Sequence, residues 1–331
     1  MLLAGDIGGT KTHLAIFSPD HGAHTPLAER IYPSAQYANL ETIVQAFMSE
    51  TDHSVTRAVF GVAGPVINNE ATITNLPWVI RTARLQDILH IKDVTLLNDL
   101  QAIAYAVPFL QHDDLHTLND GDLQPHQPIA VIAPGTGLGE AYLTWQGNRY
   151  VAHASEGGHT DFAPTNELEM SLLRYMLRVY DHVSYEKVCS GLGIRNLYSF
   201  LKNTGYAPEP PWLATQLVES NDPTPPIINA ALNHEQQPCE LAVAALRLFV
   251  SILGAEAGNL ALKLMAEGGV YLGGGIPRRI LPWLDHKYFM QAFLHKGRFS
   301  SALIRFPVHV ILNNNAALLG CACLGLELSP P

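Results

Sequence analysis

Leu2-Leu3-Ala4-Gly5-Asp6-Ile7-Gly8-Gly9-Thr10-Lys11-Thr12-His13-Leu14-Ala15-Ile16-Phe17 opens the chain and decides the reading of its fold. The apolar run at 2–4 ends at Asp6 and the pair Gly8-Gly9, and 12–17 then alternates polar and apolar residues, as a strand with one buried face does. Strand, glycine turn and strand predict a hairpin. The layout returns in the second half. There, the apolar run 129–133 leads into Gly135-Thr136-Gly137-Leu138-Gly139 and a further strand at 141–145. The match is too short to establish a repeat.

Between these two points the pattern predicts strands at 27–31, 58–62, 71–73 and 94–97, and helices at 40–47, 84–89 and 100–107. The stretch 111–128, rich in His, Asp and Gly, is the best domain boundary. The second half reads as mostly helical: 167–179, 184–188, 194–201 and a long helix from about Cys239. It closes with a strand at 269–272, three glycines at Gly273 to Gly275, a strand at 308–312 and a helix at 316–326. The fold class is α/β.

A chain of 331 residues suggests two domains at about 150 residues each. With 47% hydrophobic and 15% charged residues it can bury a sizeable core, which argues against disorder. The net charge of −10 argues against non-specific binding to nucleic acid or to an anionic membrane. It leaves a phosphate ligand open, because backbone amides bind phosphate without Lys or Arg. The four cysteines, Cys189, Cys239, Cys321 and Cys323, form no Cys-x-x-Cys pair, and Cys321 and Cys323 sit among Leu318, Leu319 and Leu324. They read as buried thiols in a reducing compartment rather than as zinc ligands. No basic segment precedes an apolar one at the start, so no signal peptide is expected. The apolar stretch 241–264 carries Arg247, Glu256, Asn259 and Lys263, too many polar groups for a membrane span. A cytoplasmic protein is expected.

A phosphate-binding turn needs glycines for close backbone approach, with exposed amides and small hydroxyls as donors. Asp6 to Thr10 with Lys11, and Gly135 to Gly139 with Thr136, both fit. Neither is a P-loop, because no Gly-x-x-x-x-Gly-Lys-Ser/Thr is present, and neither is a dinucleotide fingerprint, since a strand rather than a helix follows each. One such turn is ordinarily just a hairpin; one in each half, with Asp6 ahead of the first, shifts the reading toward phosphate. A carboxylate beside phosphate calls for a cation between them, and Mg²⁺ carried on ATP is the natural mediator. The alternative makes Asp6 a turn former. Gly273 to Gly275 would let an adenosine lie flat on the backbone.

Asn98-Asp99 ends a strand just before a helix. Asp99 reads either as a helix N-cap or as a general base accepting a hydroxyl proton in phosphoryl transfer. Glu156-Gly157-Gly158-His159 reads as an exposed turn, with too few ligands for a metal. Glu186 near a helix start is either a surface residue or part of a polar site. Asn98, Asp99, Glu156, His159 and Glu186 together would supply the acceptors a sugar needs.

Asp6-Ile7-Gly8-Gly9-Thr10 resembles the first phosphate turn of the actin-like sugar kinases. Leu97-Asn98-Asp99, the turn 135–139, Glu156-Gly157-Gly158-His159-Thr160-Asp161-Phe162-Ala163-Pro164, and His182-Val183-Ser184 with Glu186 resemble the bacterial glucokinase family in order and spacing. Thr74-Asn75-Leu76-Pro77-Trp78 and Lys296-Gly297-Arg298-Phe299 add to the likeness, which runs over nearly the whole chain. It implies two α/β domains of ribonuclease-H-like (actin-like ATPase) topology with a cleft between them. The small domain would be residues 1–109 plus about 305–331, and the large domain 110–304. It implies a homodimer that uses ATP and Mg²⁺ to phosphorylate the 6-hydroxyl of glucose, with domain closure excluding water.

By the same resemblance Asp99 is the catalytic base, and Asn98, Glu156, His159 and Glu186 hold the other glucose hydroxyls. Gly8, Gly9, Thr10, Gly135, Thr136 and Gly137 hold ATP phosphates, and Gly274 the adenosine. Lys11 stands where the family often has Asn, and in this the chain is similar to the related repressor/open-reading-frame/kinase (ROK) group. Pro134 and Ala317 replace glycines common near the nucleotide, and the Cys-rich zinc motif of the ROK group is not present. A sugar-sensing regulator of the same fold is the alternative, although an N-terminal helix-turn-helix has no room before Asp6. A kinase for another hexose or amino sugar, or one using polyphosphate as donor, is a further alternative.

Overall fold

The computed structural model describes residues 1–73 and 76–327; Thr74 and Asn75 of the Thr74 to Trp78 motif, and residues 328–331 of the expected small domain, lie outside the described residues. The chain divides into two compact units, Met1–Leu115 with Ala141–Ala154 and Asn313–Pro331, and His116–Glu140 with Ser155–Leu312.

In the first unit five strands lie in the order Ala28–Pro33, Lys11–Phe17, Leu2–Ile7, Arg57–Val62, Asp93–Asn98. The first three are antiparallel, as the N-terminal hairpin predicts, and the last two run parallel to Leu2–Ile7. In register Ile7 faces Val62, and Val62 faces Asn98, so Asp6 and Asn98 both end up at the carboxyl ends of parallel strands. One face of the sheet packs Leu3, Ile7, Leu14, Phe60 and Val62 against Leu40, Ile43, Val44 and Phe47 of helix Leu40–Ser49. That helix starts where Asn39 Oδ1 accepts the Thr42 N–H at 2.9 Å, an N-cap bond.

Neighbouring residues of a strand point to opposite faces, so Gly61 faces away from Phe60. A Cβ there would lie 2.9 Å from Ala102 Cβ and 3.3 Å from Cys321 Sγ. Gly320 is closer still, since its Cβ would fall 1.7 Å from the Ala102 carbonyl. Helices Asp99–Ala106 and Ala316–Gly325 therefore pack on the sheet and on each other at backbone distance. Cys321 donates to the Gly5 carbonyl at 3.5 Å, and burial pushes the Cys323 thiol up to about 12. Three short antiparallel strands, Val66–Ile67, Glu70–Thr72 and Val79–Arg81, form a separate small sheet.

In the second unit Ile129–Pro134, Val270–Leu272 and Val308–Ile311 lie side by side and parallel. The stretch expected as a boundary loop holds a strand of its own, Leu115–Asn119, tied to the sheet by Thr117 Oγ1 and His309 Nδ1 at 3.0 Å. Helix Glu240–Leu264 is long and apolar enough to cross a membrane by length and composition, but it is buried in protein along most of its length. Gly254 and Gly258, four residues apart on one face, let it meet helix Lys287–Leu294: a Cβ at either would lie 2.3 Å from Phe289 O or 2.5 Å from Phe293 O. The expected helix at 184–188 is instead one 3₁₀ turn, Tyr185–Lys187, and helices Pro211–Glu219 and Thr224–Leu232 fill what read as featureless sequence.

Candidate active site

In the first unit the hairpin turn Gly8 to Lys11 closes with Gly8 N–H donating to the Lys11 carbonyl at 2.9 Å. A buried serine braces it from behind. Ser34 Oγ donates to Gly8 O at 2.7 Å and meets Thr12 Oγ1 at 3.0 Å, while Ser34 N–H donates to Thr10 O at 3.1 Å. The Gly9 and Thr10 amides take no part in these bonds, and Thr10 and Lys11 are exposed. Sequence reasoning missed Ser34, because nothing local links it to a turn 24 residues earlier.

Asp6 lies just ahead of the turn and, alternating with Ile7, on the same sheet face as helix Asp99–Ala106. Burial raises its carboxyl to about 6, the Asp99 charge adds to the rise, and Lys11 opposes it. Asp99 is raised as well, chiefly by burial, against the Leu100 N–H that donates to its Oδ1 at 2.8 Å. The helix N-cap is Asn98 and not Asp99. Asn98 is extended, and its Oδ1 accepts from Leu100 N at 3.0 Å and Gln101 N at 3.4 Å, while its Nδ2 donates to Gly64 O at 3.2 Å. One oxygen of Asp99 is thereby left outside the capping bonds. Two half-buried carboxyls with one ammonium nearby are short of positive charge, and this donor set fits a divalent cation on a polyphosphate.

In the second unit Gly135, Thr136 and Gly137 form a tight link between strands Ile129–Pro134 and Leu138–Gln146, with Gly135 N–H donating to Gly137 O at 2.8 Å. The Gly135 carbonyl accepts from Gly191 N–H at 2.8 Å, so the turn abuts the start of helix Gly191–Asn203, whose cap is Ser190 Oγ at 3.1 Å from Gly193 N. Gly274 belongs to the same cluster: it sits at φ 84°, and a Cβ there would lie 2.7 Å from the Pro134 carbonyl. Pro134 itself is a buried strand end, so it changes the strand and leaves the glycine turn beyond it free. Three glycine backbones and the exposed Thr136 hydroxyl make a surface an anionic, flat ligand can approach closely. Gly191 was not anticipated; its signal is Ser190-Gly191-Leu192-Gly193, a cap residue followed by two glycines on either side of a leucine.

Glu186 joins that cluster to the sugar-type residues. Its Oε2 accepts the Leu138 N–H at 3.1 Å and lies 2.4 Å from where a Gly137 Cβ would be, so Gly137 is glycine because Glu186 occupies the space. The Glu186 segment is tied in turn to the Glu156 segment, with Tyr185 N–H donating to Thr160 O at 3.0 Å and Phe162 N–H to Val183 O at 2.9 Å. Glu156 and His159 are exposed and 3.8 Å apart, carried by the 3₁₀ turn Gly157–His159. The two glycines do not serve exposure. Gly158 is buried, and a Cβ on it would lie 2.0 Å from Leu138 O; one on Gly157 would lie 1.8 Å from Glu140 Oε2. The structure thus groups Asp6, Gly8, Gly9, Thr10, Lys11, Asn98 and Asp99 in one unit, and Gly135, Thr136, Gly137, Glu156, His159, Glu186 and Gly274 in the other.

Three comparisons bear on what such a chain is. Residues 3–327 match the family described as Glucokinase. A glucokinase of Nostoc punctiforme is 43% identical, with 99% of each chain covered. A crystal structure of glucokinase from an Antarctic psychrotroph superposes with a TM-score of 0.86 at 30% identity, covering 99% of both chains. A ROK family glucokinase from Streptomyces griseus, solved with glucose and AMPPNP, has a TM-score of 0.63 at 22% identity over 99% of both chains and shares the fold. With its two glycine turns, its Asn98-Asp99 strand end and its Glu156 to His159 turn, this chain belongs to the glucokinase family.

Proposed function

We propose that the protein is a glucokinase that transfers the γ-phosphoryl group of ATP to the 6-hydroxyl of D-glucose, releasing ADP and glucose-6-phosphate. The observation that carries the reading is the family match over 3–327 in a chain whose Asp99 carboxyl, raised by burial, has an oxygen outside the capping bonds. A base with a raised pKa holds a proton better once it has taken it, which suits removal of a hydroxyl proton as the new P–O bond forms. Phosphoryl transfer otherwise needs positioning and charge neutralisation. The amides of Gly9, Thr10 and Gly137 would hold the phosphates, on turns closed by the Gly8 and Gly135 N–H bonds, Thr136 would add a hydroxyl, and Gly274 would lie under the adenosine. Asn98, Glu156, His159 and Glu186 would hold the remaining sugar hydroxyls. Mg²⁺ arriving with ATP would be faced by Asp6 and would neutralise phosphate charge.

We also infer two ribonuclease-H-like domains that close on the sugar, a homodimer and a cytoplasmic location. The family resemblance supports all of these, as do the parallel strands with helices in each unit. The test is a coupled assay for glucose-6-phosphate with Mg-ATP and a panel of hexoses, run on the native chain and on Asp99→Ala. The proposal expects turnover with glucose and a loss of about 10²–10⁴-fold in kcat for Asp99→Ala. Turnover only with another sugar would overturn the substrate. Folded, ATP-binding protein with no turnover on any sugar would replace the reading with a sugar-sensing regulator.

A further inference from the structure

Against the Gly157–His159 turn lies Glu140, and it interacts with Glu256; the proposed reaction uses neither carboxyl group. Glu140, at the start of strand Leu138–Gln146, is 2% exposed, and Glu256, in the middle of helix Glu240–Leu264, is 0% exposed. They are close enough to interact through a side-chain hydrogen bond, yet Oε1 of each has no donor among the described residues. Their surroundings differ. Glu256 Oε2 accepts from Asn259 Nδ2 at 2.8 Å, and its Oε1 lies 3.7 Å from Lys263 Nζ. Tyr185 and Cys189 approach Glu256 from the segment that carries Glu186, and Lys296 Nζ reaches the same region by donating to Asn259 Oδ1 at 2.6 Å and Ala255 O at 2.9 Å. Oε1 of Glu140 has no such donor among the described residues, and its Oε2 lies directly against Gly157, 1.8 Å from a Cβ position there.

We propose that Glu140 and Glu256 share a single proton, and that this acid–carboxylate pair is the floor on which the Gly157–His159 turn rests, making Glu140 a positioning residue for the sugar. The proposal rests on the reading that Glu156 and His159 bind the sugar. Two bare charges here would face only Lys263, which is more than half exposed, and Lys296, whose ammonium is already donated to Asn259 and Ala255, so ionising both would be costly. One proton lowers the buried negative charge and supplies a donor where Oε1 of each carboxyl lacks one. It resides on Glu140, because Glu256 has the amide donor and the lysine. Burial and the Glu256 charge hold the Glu140 carboxyl up at about 8, with Lys263 opposing. Loss of the proton leaves a second anion pressed against Gly157, with no room for the water it would recruit, and the turn must lift.

The experiment compares the native chain with Glu140→Gln, whose amide cannot ionise and can still donate to Glu256. Thermal melts without sugar read the proton alone. A carboxyl raised from 4.5 to about 8 keeps in the folded state a proton that the unfolded state has lost, so stability falls as pH rises between those values and levels off above. The native chain is expected to lose melting temperature from pH 6 to 8 relative to Glu140→Gln. The KM for glucose reads the coupling. Above pH 8 it is expected to rise, by up to about tenfold per pH unit, in the native chain only, while Glu140→Ala raises it at every pH. Identical melting profiles for the native chain and Glu140→Gln would overturn the shared proton. Different melts with the same alkaline rise in KM would overturn the positioning role. If Glu156→Gln and His159→Ala left the KM unchanged, the sugar-site reading would fail, while the melts would still decide the pair.

Discussion

Gly158→Ala is a one-carbon change whose effect follows from the backbone around it. The new Cβ would stand 2.0 Å from the Leu138 carbonyl and 3.1 Å from Leu138 Cβ, where ordinary contact begins at 3.4 Å. Relief needs a displacement of about 1.4 Å, because the obstacle is the backbone of a strand and not the end of a flexible side chain. The strand is held by its ladder, so the turn moves and carries Glu156 and His159 with it. Misplacing a binding group by about 1 Å costs on the order of 100-fold, or about 2.7 kcal/mol of transition-state stabilisation. The coupled assay should therefore show kcat/KM for glucose down by roughly that factor, with the KM for ATP little changed. Circular dichroism should show the fold intact. A folded Gly158→Ala protein with near-native kcat/KM for glucose would refute the claim that this turn positions the sugar.

Other perturbations separate the roles of the first unit. Asp6 is raised from 3.8 to about 6, so the folded state holds a proton that the unfolded state has released, and stability falls between those pH values and stays low above them. Asp6→Asn should melt higher than the native chain at pH 7, by up to about 3 kcal/mol, with the difference closing below pH 4 and with phosphoryl transfer impaired. Ser34→Ala removes the bond to Gly8 O and leaves the buried Thr12 hydroxyl unpaired, which should cost about 1–3 kcal/mol in a denaturant melt and raise the KM for ATP more than that for glucose. Gly320→Ala drives a methyl group to 1.7 Å from Ala102 O; overpacking of about 1–3 kcal/mol or more should lower the melting temperature by several degrees.

How much of this was legible varied with how local the cause was. The hairpin and the parallel strands of the first unit follow from alternation and apolar runs, and they fell where periodicity put them. Strand Leu115–Asn119 was hidden because it is half-buried along its length, so its sequence stays polar. Helices Pro211–Glu219 and Thr224–Leu232 were hidden by prolines in their first turns, where a missing N–H costs nothing but the residue reads as a breaker. The choice between Asn98 and Asp99 as cap turns on one backbone angle that composition does not encode. At Gly157 and Gly158 the sequence announced a turn, but its reason lies in Leu138 and Glu140, eighteen residues or so away. Ser34, Glu140 and Glu256 had no signature at all, because each matters only through a neighbour distant in the chain.

The close fit of helix Ala316–Gly325 also constrains how the protein is made. Cys321 meets the Gly5 carbonyl, Gly320 meets Ala102, and Gly325 lies against Leu2, so the last described helix covers the first strand and the helix that bears Asp99. On the ribosome about 200 residues separate Asp99 from that helix, on the order of 10–40 s of translation. Through that interval one face of the N-terminal sheet is covered by helix Asp99–Ala106 alone while most of the second unit emerges. The first unit to be synthesised is the last to be completed, which makes its nascent sheet the segment that a cellular chaperone would meet and that slow elongation would leave open to aggregation longest.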